Sequence, residues 1–178
     1  MAYADILELH RRQPRRVNPA PLPRAGEGSE RVAVTPMTGA ASLLAYLGAA
    51  PLLAGALTMI SNPASGVDRF LVLYGAALLI FFGGVRWGVA VMKPKGPTMR
   101  ALLGAVLPML AALPLLVAGE PTANIMIVMG LMILLLVDDL RATRRGDGAP
   151  LWYLGVRIPL TVLIEVALLV ALAAGMRG

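Results

Sequence analysis

Residues 70–92 read FLVLYGAALLIFFGGVRWGVAVM, an apolar run interrupted by one charge, Arg86. A helix needs about 20 mostly apolar residues to cross the hydrocarbon of a bilayer. This run is long enough, and a core helix of a soluble domain has no need of such length. The surrounding chain fits the same solvent. It has 178 residues, 58% of them hydrophobic and only 15% charged, with a mean hydropathy of +0.76. A soluble domain of this size needs a polar shell that this composition cannot supply.

Four further runs qualify, and the predicted spans are Gly39–Ile60, Phe70–Met92, Met99–Ala118, Thr122–Val137 and Trp152–Gly175. Turn chemistry separates them: SNPASGVD, KPKGPT, GEP and RRGDGAP. Proline and glycine end helices, one by lacking a donor and the other by lacking a steric preference. The expected fold is all-α, a polytopic bundle of five helices (residues 37–178) behind an N-terminal tail. The short GEP turn predicts a hairpin of spans three and four. Pro108 and Pro114 predict kinks in span three.

Residues 1–36 hold Pro14, Pro19, Pro21, Pro23, Pro36 and six arginines. Such a segment buries too little to offset its ordering entropy, so it is expected to be disordered. A short surface helix over 5–12 is the exception. Met37, at the door of the first span, is a candidate start. Asp5, Glu8, Glu27 and Glu30 argue against a transit peptide.

The net charge of +6 is not a nucleic-acid stripe. Most of the basic residues lie in the tail, in the loop Lys93–Arg100 and in the loop Arg141–Arg145. Arg69 and Arg177 fall on the other side. By the positive-inside rule the N-terminus is cytoplasmic, in a bacterial inner membrane or, alternatively, a mitochondrial one. With no cysteine, no histidine in any span, no metal-ligand spacing and no nucleotide loop, the expectation is no enzyme, no metal and no cofactor. The expected partners are the bilayer and other membrane proteins, and no nucleic acid.

Charges inside hydrocarbon are rare and costly. Arg86 lies about 10 Å from Lys93 at 1.5 Å per residue. It can snorkel to headgroups, pair with Asp138 or Asp139, or serve a solute. Glu165, mid-span, is out of snorkelling reach. It is a protonated or hydrogen-bonded structural acid, or a proton, ion or ligand site with Thr161 one turn before it. Asp138, Asp139, Arg141 and Arg157 group at the mouths of spans four and five. Gly75, Phe82 and Gly83 share the face of Arg86, and Gly84-x-x-x-Gly88 lies opposite. Small residues let backbones approach, so span two is expected to have neighbours on both sides. Met126, Met129 and Met132 are expected to fill core gaps.

Three stretches, YGAALLIFFGGVRWG, LLLVDDLRA and WYLGVRIPLT, together resemble the domain of unknown function 3429 family (transmembrane protein 69-like), five-span membrane proteins. The resemblance covers about residues 39–175. It falls on Gly83, Gly84, Trp87 and Gly88, on Asp139 and Arg141, and on Trp152, Tyr153, Arg157, Pro159, Leu160 and Thr161. It implies histidine in many members where this chain has Arg86, a departure that weakens an imidazole proton relay. It implies no agreed activity. Three functions are therefore carried forward. They are an accessory or assembly protein, a small channel or ion-coupled transporter using Glu165 and Arg86, and a lipid or quinone site at Trp87 and Trp152.

Overall fold

The computed structural model describes residues 36–63, 66–94, 96–117, 119–146 and 148–177. Apart from Pro36, the tail expected to be disordered, with its short helix, lies outside them. The described residues form five α-helices: α1 (Pro36–Ser61), α2 (Val67–Val91), α3 (Met99–Val117), α4 (Pro121–Arg144) and α5 (Leu151–Gly175). Each is long and apolar enough to cross a membrane, so the chain is a multi-pass membrane protein.

Local chemistry sets the helix ends. Thr98 Oγ1 accepts from Ala101 N at 3.3 Å at the start of α3. Glu120 caps α4 by accepting from Ala123 N at 3.1 Å, with Pro121 in the first turn where its missing donor costs nothing. Gly119 turns the chain between α3 and α4 at φ 118°, a value that disfavours any side chain. At that end Arg69 donates to the carbonyls of Leu115 at 3.2 Å and Leu116 at 2.8 Å, closing the open end of α3.

Helices α1, α2, α4 and α5 pack in a ring, and α3 is fastened to the outside of α2. The turn between α3 and α4 is tight, but these two helices touch only slightly. The predicted hairpin therefore opens, because α3 finds its main surface on α2. Leu52, Leu71, Leu79, Val128, Met132, Ile164 and Leu168 are fully buried between the ring helices. Met129 packs against this core, whereas Met126 faces outward at 54% exposure.

Glycines set how closely α2 approaches its neighbours. A Cβ at Gly83 would stand 2.7 Å from the Ala105 carbonyl oxygen of α3, and one at Gly75 would stand 2.6 Å from a Val128 methyl of α4. The opposite strip departs from expectation. A Cβ at Gly84 or Gly88 would meet nothing within 4 Å. The exposed Phe81 and Val91 lie beside this strip, and no described atom stands within 4 Å of where either glycine's Cβ would be. Helix α2 does have neighbours on more than one side, α1 as well as α3 and α4; the correction concerns the Gly84-x-x-x-Gly88 strip, which packs against none of them.

Helix α4 runs seven residues beyond the predicted end at Val137, to Arg144. Asp138 and Asp139 therefore lie within a helix. The α-helix assignment also runs unbroken through Pro51, Pro108, Pro114 and Pro159. A proline leaves the carbonyl four residues earlier without its intrahelical donor. For Pro108 that carbonyl belongs to Gly104.

Candidate functional site

Four helices converge on one charged cluster. Arg86 is in the last two turns of α2, Asp138 and Asp139 are near the end of α4, Arg157 is in the second turn of α5, and Gly104 is in α3. Arg86 Nη1 donates to the Gly104 carbonyl at 3.0 Å, occupying the acceptor that Pro108 leaves open. Arg86 Nη2 pairs with Asp138 Oδ2. Arg86 Nε lies 3.1 Å from Asp139 Oδ1, and Arg157 Nε lies 3.5 Å from Asp139 Oδ2. Asp139 thus stands between two guanidiniums. The chain of charges runs minus, plus, minus, plus and sums to zero. Neutrality matters because each unpaired charge in a low-dielectric site carries a desolvation cost of several kcal/mol.

Burial is uneven across the cluster. Side-chain exposure falls from 44% at Asp138 through 16% at Arg86 and 10% at Asp139 to 0% at Arg157. The Arg157 guanidinium carbon lies 3.3 Å from the Phe82 ring centroid, so the ring face covers one side of the cation. Arg157 Nη1 and Nη2 are buried without a hydrogen-bond acceptor, and Tyr153 Oη is also unpartnered. Native proteins rarely leave such groups unsatisfied.

Two cavities flank the cluster. One, of about 160 Å³, lies at the helix ends and is bordered by the charged Arg86, Lys93, Arg100, Asp138 and Arg145. The other, of about 430 Å³, is an apolar groove between α1, α2 and α5. Leu44, Leu78, Phe81, Trp152, Val156 and Leu160 line it, and Phe82 and Arg157 border it. Tyr153 and Val85 border both cavities.

The residues singled out from sequence divide accordingly. Arg86, Asp138, Asp139 and Arg157 come together. Thr161 and Glu165 do not join them. Thr161 Oγ1 donates to the Arg157 carbonyl of its own helix at 2.9 Å. The expected Thr161–Glu165 network is therefore replaced by local back-bonding. Both carboxylate oxygens of Glu165 are buried without a hydrogen-bond partner, and Glu165 borders neither cavity. Trp152 and Leu160 line the groove, while Trp87, 45% exposed, is not part of it. Arg141 and Pro159 are exposed. The roles of Phe82, Gly104 and Pro108 escape a sequence reading. The only available signal was the shared face of Phe82 and Arg86, together with the four-residue step from Gly104 to Pro108.

Transmembrane protein 69 of Xenopus tropicalis is 39% identical over 97 residues, covering 52% of this chain and 36% of that protein. The match therefore spans little more than a third of the relative's own length. No solved structure matches the chain. A family model described as protein of unknown function (DUF3429) matches residues 37–173, and the chain belongs to that family.

Proposed function

We propose that this member of the DUF3429 family is a non-catalytic membrane protein that holds a membrane-resident amphiphile in the groove between α1, α2 and α5. One observation carries the reading. Arg157 is 1% exposed, its terminal nitrogens lack acceptors, and it borders an apolar groove of about 430 Å³. Pockets of roughly 300–1,000 Å³ with apolar walls and a few polar groups are the usual form of small-ligand sites. An amphiphile supplies both halves, an apolar body for Leu44, Leu78 and Leu160 and an acceptor for Arg157. The loop charges support placing the Lys93 end on the cytoplasmic side of a bacterial inner membrane, or on the matrix side of a mitochondrial one. A polar transport path through Thr161 and Glu165 lacks support, since neither residue borders either of the two cavities described.

Photo-crosslinking tests the reading. The protein is placed in vesicles containing a lipid with a diazirine on its acyl chain. Labelling is expected to concentrate on groove residues of α1 and α5 and to fall in Ala41→Trp, which narrows the groove. Equal labelling of the groove and of the lipid-facing Leu103 and Leu134, 53% and 66% exposed, refutes it.

A second reading, an accessory protein docking a helix of another membrane protein, is favoured by the open Gly84-x-x-x-Gly88 strip. A photoreactive residue at position 84 that captures only lipid removes that support.

A further inference from the structure

The charge count at the groove narrows what can occupy it. The cluster holds Arg86 and Arg157 against Asp138 and Asp139. Asp139 stands between two guanidiniums, so with each group in its ordinary charged form two cations face two anions. The network is therefore neutral before any ligand arrives. Among the described residues, Lys93, Arg100 and Arg145 border the other cavity at the helix ends, and Arg141 and Arg144 are exposed at the end of α4. The only other acid in α5, Glu165, lies eight residues from Arg157, about 12 Å along the helix. An anionic head at Arg157 adds an uncompensated negative charge at membrane depth, which is costly. A neutral acceptor adds none. At the cluster, Arg157 Nε and Asp139 Oδ2 lie 3.5 Å apart without a hydrogen bond, and the groups with no counterpart at all are donors: Arg157 Nη1, Arg157 Nη2 and Tyr153 Oη. A carbonyl oxygen accepts from both types, the guanidinium N–H and the phenol O–H. Phe81, Phe82, Trp152 and Tyr153 are among the residues that line the groove.

We infer that the amphiphile carries an uncharged carbonyl head on Arg157, as in a quinone ring or a neutral acyl ester, and not a phosphate or free carboxylate. This inference rests on the amphiphile reading and specifies its ligand.

Competition against the diazirine lipid tests it. Three probes are used in vesicles: decylubiquinone, methyl oleate and oleyl phosphate. The last two share a chain and differ in head charge. Decylubiquinone and methyl oleate are expected to displace the photoprobe at concentrations at least about tenfold lower than oleyl phosphate, given the cost of a charge at this depth. The decylubiquinone and methyl oleate arms separate a quinone from an ester. In Asp139→Asn, with helix content verified by circular dichroism, the network carries one positive charge. The preference is then expected to shift at least about tenfold toward oleyl phosphate. Oleyl phosphate matching or exceeding methyl oleate on the wild type overturns the carbonyl head and leaves the groove reading standing. Groove labelling that no probe displaces also overturns it. Labelling that is not concentrated on the groove sinks both readings.

Discussion

Replacing Asp139 by leucine tests the ion network most directly. The change removes the carboxylate that Arg86 and Arg157 share. One positive charge is then uncompensated, and the group left bare is Arg157, whose side chain is 0% exposed. Breaking a buried pair from one side costs about 3–5 kcal/mol. Arg157→Met alone is milder, because Asp139 keeps Arg86 at 3.1 Å. The double change restores neutrality, since Arg86 and Asp138 still pair. It also puts two apolar side chains of similar length where two charges had been. Such replacements are often neutral or stabilising. The double variant is therefore expected within about 1 kcal/mol of the wild type, with a coupling of at least about 2 kcal/mol between the two sites. Equilibrium unfolding in mixed micelles with rising dodecyl sulfate, followed by circular dichroism on all four proteins, measures it. Effects that add to within about 0.5 kcal/mol, the behaviour of independent sites, refute the reasoning.

The two adjacent glycines of α2 predict opposite outcomes in the same assay. Gly83→Ala is expected to cost about 1–3 kcal/mol, because its Cβ meets the backbone oxygen of Ala105 at 2.7 Å. Gly84→Ala is expected to be neutral or to gain up to about 1 kcal/mol from helix propensity, since its Cβ meets nothing; equal costs at the two positions contradict the assigned faces. Glu165→Leu is expected to stabilise by about 1–3 kcal/mol by removing two buried, unpartnered oxygens. A loss of stability there means that a group outside the described residues holds the carboxylate.

The five helices were legible because a bilayer demands long apolar runs, and composition alone reveals those. Depth also made the meeting of Arg86 with Asp138 and Asp139 legible, since both sites lie a few turns from the same ends. Other features were hidden for physical reasons. Asp138 and Asp139 looked like the end of a span, because unpaired carboxylates stop hydrocarbon burial; paired to Arg86, they let α4 continue to Arg144. Arg157, near a helix start, has the sequence signature of an interfacial charge, and only the fold brings Phe82 of another helix over it. Gly83 and Gly84 differ by one step of about 100° around α2. Small size was readable, but which of them met a backbone was not. The groove depends on how far α1, α2 and α5 stand apart, a distance no single helix encodes.

The alternation of charge in the cluster also has a direction in time. Arg86 precedes Asp138 by 52 residues, so synthesis delivers the first cation long before its counter-ions. While α2 stands alone in the bilayer, Arg86 carries an insertion cost of up to about 2.5–3.5 kcal/mol. The Gly104 carbonyl, left open by Pro108, arrives next and offers an acceptor without a charge. Helix α4 then brings two anions against one cation. Arg157 of α5 completes the count from the last helix made. Each newcomer opposes the charge already present, so the sign pattern along the chain favours sequential assembly in which α5 locks the ring only after α2 and α4 have met.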